Sequence, residues 1–429
     1  MFRTAAMIMI ISMLAGACSK NNGPEKPEDN TGQTTGPGGN GSGDQGGSGD
    51  QGNSGNEGGS GDEGGNEGGT SGGDHGGSGD SGDQGGSGDS GDQGGSGGSG
   101  DQGDQPKPQI TANSWMTAID DDTKIALLTI PGTHDAATST CSAAGKCQTL
   151  TISGQLEHGV RAFDLRPTMD DNSTLGNIYH SILDTGVSMG DAMEYFDSFL
   201  KTHPGEGIIV IMRYESERQI FGSIAEDNYK TAMKNFLWDS RIYQSRMAAF
   251  NRSMTMKDLR GKILIISRND LSPVSTFETA YTQWSHSNSV GEALQIYGTG
   301  GLGRIYVQDM YSAEKNGNSS EADFLAKKKE LVCKLLDITV PFREYEQNNW
   351  VINYCSGYAG SSFASDSYAK NAASTNPAAL EHIKAHTGKG FTGIVMMDYA
   401  GTDTYEVGGS TFSVSGKSLT EALIMNNFQ

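Results

Sequence analysis

Between residues 19 and 109 the chain contains no Ala, Val, Ile, Leu, Met, Phe, Trp, Tyr or Cys. A segment without apolar side chains cannot bury enough surface to offset the entropy of folding. It holds 35 Gly, and its 16 Asp or Glu against 3 Lys account for −13 of the chain's formal net charge of −21. Repeats of the type GGSGDSGDQ run through to Asp104; Gly and Ser keep such a chain flexible, and like charges extend it. Residues 19–109 therefore read as a disordered acidic linker, and a domain count from total length would treat them as if they folded. Folded structure falls to residues 110–429, which carry 27 basic and 36 acidic side chains. That part lacks the basic footprint of a nucleic-acid binder, so no nucleic-acid partner is expected.

Residues 1–18 have the form of a signal peptide, with Arg3 as a sparse n-region and an apolar run over 5–14 that is too short to span a bilayer. The run ends in Leu14, Ala15, Gly16 and Ala17 directly before Cys18, a pattern that resembles the lipobox of bacterial lipoproteins. The resemblance implies cleavage at Cys18 and its acylation, giving an exported, anchored and surface-exposed protein held off the membrane by the linker. Gly94, Gly95, Ser96, Gly97 and Gly98 match the GxSxG elbow of serine hydrolases. With no strand before them and no helix after, the match carries no chemistry.

From residue 124 onward short apolar runs alternate with amphipathic stretches. The runs span 125–130, 162–165, 208–212, 263–266, 305–307, 350–354 and 394–397. Several are continuous and β-branched, as strands buried on both faces of a parallel sheet should be. Helical periodicity appears over 191–201, with Met193, Phe196, Phe199 and Leu200 on one face, and over 321–336, with Phe324, Leu325, Leu331, Leu335 and Leu336. The alternation predicts an α/β fold, either a barrel or a doubly wound sheet. Just past the strand ends stand His134, Arg166, Arg213, Arg268, Asp309 and Asp398, and His180 closes a further short run over 177–179. A parallel barrel gathers one residue per strand into a single pocket at that rim. An open sheet would use only two or three strand ends, so the barrel is favoured.

Two imidazoles near a common point can divide base and acid roles at neutral pH. Guanidinium groups match phosphate oxygens and stabilise charge on a transferring phosphoryl group. Together these residues suggest phosphodiester cleavage. No HExxH or CxxC spacing and no clustered carboxylates mark a metal site.

The segments Ile130, Pro131, Gly132, Thr133, His134, Asp135 and Gly159, Val160, Arg161, Ala162, Phe163, Asp164, Leu165, Arg166, followed by His180, resemble the X-type catalytic domain of bacterial phosphatidylinositol-specific phospholipase C. The likeness continues through residues 261–268, 307–311 and 393–399 and covers residues 113–427. It implies an irregular, incompletely closed TIM barrel over 110–429, and cleavage of phosphatidylinositol, or of glycosylated phosphatidylinositol (GPI) anchors, to diacylglycerol and inositol 1,2-cyclic phosphate. It also implies that His134 is the general base, oriented by Asp398, and that His180, assisted by Asp135, is the general acid. Arg166 would stabilise a non-bridging oxygen, with Asp164 supporting it. Arg213, Arg268, Asp309 and Tyr311 would contact the headgroup. The family's calcium-dependent branch has a carboxylate in place of Arg166, so no calcium requirement and no other cofactor is expected. Arg213 stands where the bacterial family commonly has Lys, and Ser181 where it commonly has Gly.

The remaining motifs read blandly. Residues 298–303 match GxGxxG but precede a strand, the wrong order for a dinucleotide site, and read as a loop that could lie at the membrane-facing rim. His158, His203, His286, His382 and His386 carry no motif and read as surface or loop residues. Cys141 and Cys147 lie six apart, a spacing that permits a local disulfide in an exported protein. Cys333 and Cys355 read as buried thiols. Trp284 is a candidate apolar rim residue for docking on lipid. Three readings stay open: a monomeric phospholipase C, a non-catalytic lipoprotein that binds a phosphoinositol or glycan headgroup, and a phosphodiesterase for another diester.

Overall fold

The computed structural model describes residues 110–169, 175–215, 226–238, 241–269, 280–284, 290, 292–298, 301–312, 320–342, 346–388 and 391–429. The signal peptide, Cys18, the linker and His286 lie outside these residues. Strands β1 (Thr129–Thr133), β2 (Ala162–Leu165), β6 (Ile208–Met212), β7 (Ile263–Ser267), β8 (Ala280–Tyr281), β10 (Gly303–Gln308), β11 (Asn349–Tyr354) and β12 (Gly393–Met397) form one curled sheet of parallel neighbours. Its order is β8-β7-β6-β2-β1-β12-β11-β10, extended by β9 (Ala293–Ile296), which runs antiparallel to β10. No ladder joins the β8 and β9 edges among the described residues, so the barrel is incompletely closed.

Strand alternation sorts the apolar residues into two cores. Ile130, Ala162, Ile209, Ile211, Leu264, Ile266, Ile305, Val307, Trp350, Ile352, Ile394 and Met396 fill the barrel interior. Phe163, Leu165, Val210, Met212, Ile265, Val395 and Met397 face the helices. Gly132 occupies an inward position where a Cβ would lie 2.4 Å from the Met396 Sδ and 3.1 Å from the Ala162 Cβ. A side chain there would force β1 away from its neighbours.

Helix α1 (Ile152–Glu157) follows β1, α2 (Met189–Thr202) precedes β6, and α3 (Glu226–Trp238), α4 (Arg241–Arg246) and α5 (Met256–Leu259) lead into β7. Helix α6 (Glu321–Thr339) lies between β10 and β11, α7 (Ser367–Ala385) before β12, and α8 (Gly416–Met425) near the C-terminus. Helix α2 begins at Met189 because Ser188 and Asp191 form a capping box, which places Asp191 in the first turn rather than at the start. The apolar run over 125–130 is not one strand: Ile125–Leu127 is a 3₁₀ turn and β1 starts at Thr129. His180 ends β4 (Leu175–His180), which lies between β3 (Pro167–Met169) and β5 (Leu183–Ser188) in a separate antiparallel sheet. The run over 177–179 is therefore a hairpin strand inserted after β2, not a stave of the barrel.

Because β9 runs antiparallel to β10 and Gly303 pairs with Ile296, the turn containing Gly298 sits at the N-terminal end of β10. That is the end opposite Asp309, so Gly298, Gly301 and Gly303 lie away from the catalytic rim. The same lower end is closed by the 3₁₀ segment Ala112–Ala118. Trp115 is fully buried there and donates to the Gly159 carbonyl at 2.9 Å. Buried Glu206 accepts from the Thr117 backbone N–H at 2.7 Å and from Arg161 Nε at 2.8 Å, while the Arg161 guanidinium lies 4.6 Å above the Phe199 ring. Removing one partner of a buried pair strands the other charge, at a cost of about 3–5 kcal/mol. Glu206→Ala should lower the unfolding free energy by about that amount, read from urea denaturation; an effect within experimental error would show that the plug does not depend on this pair.

Candidate active site

Apart from Asp135, which follows His134 with positive φ, each barrel-derived site residue continues the inward parity of its strand. Ile130 and Gly132 lead to His134; Ala162 leads to Asp164 and Arg166; Ile211 leads to Arg213, Ile266 to Arg268, Val307 to Asp309 and Met396 to Asp398. Where a strand leaves the sheet, its next inward side chain reaches the open upper mouth instead of the apolar core. His180 arrives there from the β4–β5 hairpin.

One connected cluster results. His134 Nδ1 lies 2.9 Å from Asp398 Oδ1, and its Nε2 lies 3.1 Å from Asp135 Oδ2. The same Asp135 oxygen is 3.4 Å from His180 Nε2. Arg166 Nε is 3.1 Å from Asp135 Oδ1, and its NH2 donates to Asp164 Oδ2 at 2.9 Å, with Glu215 at 3.9 Å from NH1. Burial favours neutral Asp135, but Arg166 first, then His134, His180 and Arg213, hold its carboxyl at about 2. Burial lowers His134, but the Asp135 and Asp398 charges outweigh it and raise the imidazole above its ordinary value. Burial raises Asp398, against the pull of its bond to His134. Because Asp398 accepts from Nδ1–H, the neutral His134 carries its lone pair on Nε2, the nitrogen beside Asp135 Oδ2, which is the tautomer a general base requires.

The fold does cluster carboxylates, which the sequence did not reveal. Asp135, Asp164 and Glu215 surround Arg166, so a guanidinium occupies the centre where such a set could otherwise attract a dication. Cys147 also reaches this cluster, with Sγ within 4.8 Å of ligand atoms of His134 and Asp398. Its thiol is pushed well up by burial and by the Asp398 and Asp135 charges, so it stays protonated and is no nucleophile. Cys141 and Cys147 form no disulfide: both are buried, and the Cys147 thiol is turned toward the imidazoles. Cys355 is buried as expected, whereas Cys333 is only half-buried.

A second cluster lines the opposite side of the mouth. Arg268 NH2 lies 3.3 Å from Asp309 Oδ2, and the guanidinium stacks 4.1 Å over Trp284. Trp284 Nε1 donates to Asp309 Oδ2 at 2.8 Å. Trp284 is thus a wall of the pocket, held by two site residues, and is not an outward-facing membrane anchor. Tyr311 stands two residues beyond Asp309, half-buried, with its ring 6.2 Å from that of Tyr358. Arg213, at the end of β6, faces the first cluster through its charge on Asp135.

Residues with no motif complete the site. Tyr354, two past Ile352 on β11, is fully buried between the His134 and Trp284 rings, at 6.2 and 6.3 Å, and its hydroxyl has no partner. The inward parity of Trp350 and Ile352 was the available signal. Tyr368, in the first turn of α7, places its hydroxyl 3.1 Å from His180 Nε2, while His180 Nδ1 donates to the Gly145 carbonyl at 2.9 Å. Buried amides hold the backbone behind the imidazoles. Gln148 Nε2 donates to the carbonyls of His134 and Met397, both at 2.9 Å, and Asn376 Nδ2 donates to that of Asp398 at 3.0 Å. Asp135, Ser181 and Tyr399, the residues directly after His134, His180 and Asp398, all have positive φ, at 43°, 56° and 59°. Ser181 opens the two-residue turn from His180 to Leu183, which explains why Gly suits that position.

The family model for the phosphatidylinositol-specific phospholipase C X domain matches residues 129–269. Over these residues the chain is similar to that X domain. A 1-phosphatidylinositol phosphodiesterase from Listeria monocytogenes is 34% identical over 170 residues, 38% of this chain. The chain spans about half of that relative's length, 51%. A protein of the same name from Staphylococcus aureus is 25% identical over 299 residues, 67% of this chain and 88% of the relative. A crystal structure of a phosphatidylinositol-specific phospholipase C from S. aureus covers 74% of this chain and 97% of its own, with a TM-score of 0.57 at 23% identity, a likeness of fold. The X-domain match ends at Arg268 and Asn269, so Asp309, Tyr354, Tyr368 and Asp398 join the site from outside it.

Two variants test the geometry of the site. With His134 raised, the acidic limb of kcat/KM should lie above that of free imidazole, because a base works only deprotonated. Asp398→Asn removes a charge that raises His134, so that limb should move to lower pH while kcat falls by roughly 10²–10⁴-fold. Tyr368→Phe removes the hydroxyl that lies 3.1 Å from His180 Nε2 and so loosens the hold on that imidazole. It should lower kcat while leaving KM near that of the native chain; a change in KM alone, with kcat unmoved, would leave Tyr368 only a packing role.

Proposed function

We propose that this protein is a metal-independent phosphatidylinositol-specific phospholipase C that releases diacylglycerol and inositol 1,2-cyclic phosphate. The observation that carries the reading is one carboxylate oxygen, Asp135 Oδ2, lying between His134 Nε2 at 3.1 Å and His180 Nε2 at 3.4 Å, with Arg166 on the other oxygen. A module that only binds a headgroup has no need of a base and an acid facing each other. His134 Nε2 takes the proton of the inositol 2-hydroxyl, whose oxygen attacks the adjacent phosphorus. That attack is intramolecular and draws on proximity rather than an external nucleophile. His180, protonated, gives its Nε2 proton to the departing diacylglycerol oxygen. Arg166 stabilises charge on a non-bridging oxygen while Asp164 fixes its fork. Arg268 and Asp309, aligned by Trp284, face the inositol hydroxyls.

Metal independence is supported by Arg166, which already neutralises the carboxylates that a dication would need. The test is to incubate the full chain with phosphatidylinositol vesicles in excess chelator and follow cyclic phosphate by phosphorus NMR, beside His134→Ala. Product from the native chain and none from the variant is expected. Activity that requires added calcium would overturn metal independence, and product from both proteins would overturn the role of His134. We further propose export and lipid anchoring at Cys18, a reading supported by the small residues before it. Labelled fatty acid should be incorporated in the native chain and not in Cys18→Ser.

A further inference from the structure

Helices α6 and α7 lie against each other, and near their C-terminal ends three ligand-bearing side chains meet. Asp337 comes from α6, His382 from the last turn of α7, and His386 caps that helix. The i, i+4 spacing puts both imidazoles on one helix face. Their rings stack at 4.2 Å with an interplanar angle of 22°. One ligand atom from each of the three residues lies within 4.8 Å of the others. These two His read as surface or loop residues in the sequence; both are instead only partly exposed and belong to a helix end.

The hydrogen bonding of the rings leaves nitrogens available. His386 Nδ1 donates to the His382 carbonyl at 2.9 Å, so its Nε2 carries a lone pair. A bond from the distal nitrogen to a backbone carbonyl is also the usual way in which a metal-binding imidazole is oriented. His382 Nε2 is buried and has no hydrogen-bond partner, although Asp337 Oδ1 lies 3.4 Å away. That separation is close to the edge of a tetrahedron around an ion bound at about 2.0–2.1 Å. Leu336, Val340, Ile383 and Phe391 line a small cleft beside the two rings and form an apolar wall on one side.

We propose that Asp337, His382 and His386 bind a divalent transition metal of the zinc type, which clips α6 to α7 and leaves one coordination position to water. Two imidazoles and a carboxylate suit zinc or cobalt better than calcium or magnesium, which take oxygen ligands. The site is distinct from the catalytic mouth: Tyr368, which touches His180, lies fourteen residues before His382, about 20 Å along the helix. An ion there stabilises the folded chain by binding it and not the unfolded one, and takes no part in phosphodiester cleavage.

The untagged full chain is titrated with Co²⁺, following visible d–d absorption, and its thermal unfolding is recorded with and without Zn²⁺. One Co²⁺ per chain with the intense band of a low-coordinate site is expected, together with a higher unfolding midpoint in Zn²⁺. His386→Gln should weaken Co²⁺ binding at least about tenfold and abolish the Zn²⁺ shift. Asp337 is 64% exposed, so Asp337→Asn can be made without disturbing the core and should weaken binding in the same way. His134→Gln, which alters the other cluster of His and carboxylates, should leave the band in place. A native chain with no band, a band that survives both His386→Gln and Asp337→Asn, or one lost in His134→Gln would overturn the proposal.

Discussion

The structure rests on the two-residue alternation of parallel strands curled into a barrel. Alternation sends Ile130, Ile209, Ile211, Leu264, Ile266, Ile305 and Ile352 inward to an apolar interior and their neighbours outward to the helices. The interior closes only because Gly132 lets β1 approach Met396 and Ala162. At the upper end the same inward direction has no core left to fill, so the side chains that follow are polar and converge. His134, Arg166, Arg268, Asp309 and Asp398 meet because each is one more inward step on its own strand. At the lower end Trp115 and the Arg161–Glu206 pair close the barrel and leave a single open mouth.

Charge compensation then makes the mouth a reactive site. Largely buried ionisable side chains of both signs meet around Asp135: Arg166 lies between Asp135 and Asp164, and His134 between Asp135 and Asp398, with His180 beside Asp135 as well. The arrangement keeps Asp135 ionised and His134 basic in a place where burial alone would do the opposite to both. Backbone strain accompanies it, since three of the four non-glycine residues with positive φ among those described directly follow His134, His180 and Asp398. Such conformations persist only where surrounding bonds over-determine them. Gln148 and Asn376 supply those bonds by tying β1, β12 and α7 together through buried carbonyls.

Much of the barrel was legible in the chain. The runs over 162–165 and 208–212 coincide with strands, and others needed only a residue or two at their ends, because buried parallel strands are continuously apolar. The run over 125–130 was misread because a 3₁₀ turn buries its apolar side chains just as a strand would. His180 was found by its motif but placed wrongly, since an antiparallel hairpin and a barrel strand have the same short pattern. Tyr354 and Tyr368 were invisible as site residues: an aromatic at a strand end or in the first turn of a helix looks like core until its hydroxyl is seen to be left unpaired beside the site or to reach an imidazole.

By itself the sequence determined that residues 19–109 lack the apolar content for a core, that the remainder alternates strand and helix, and which strand ends bear charge. These are properties of composition and local periodicity, which need no knowledge of distant partners. Tertiary structure alone decided that Asp135 lies between two imidazoles, that Trp284 turns inward onto Arg268, that Cys147 stays a thiol, and that Asp337 meets His382 and His386 across two helices. Each of these depends on a distance between residues far apart in the chain, and such distances are set by how the sheet curls and how the helices pack upon it.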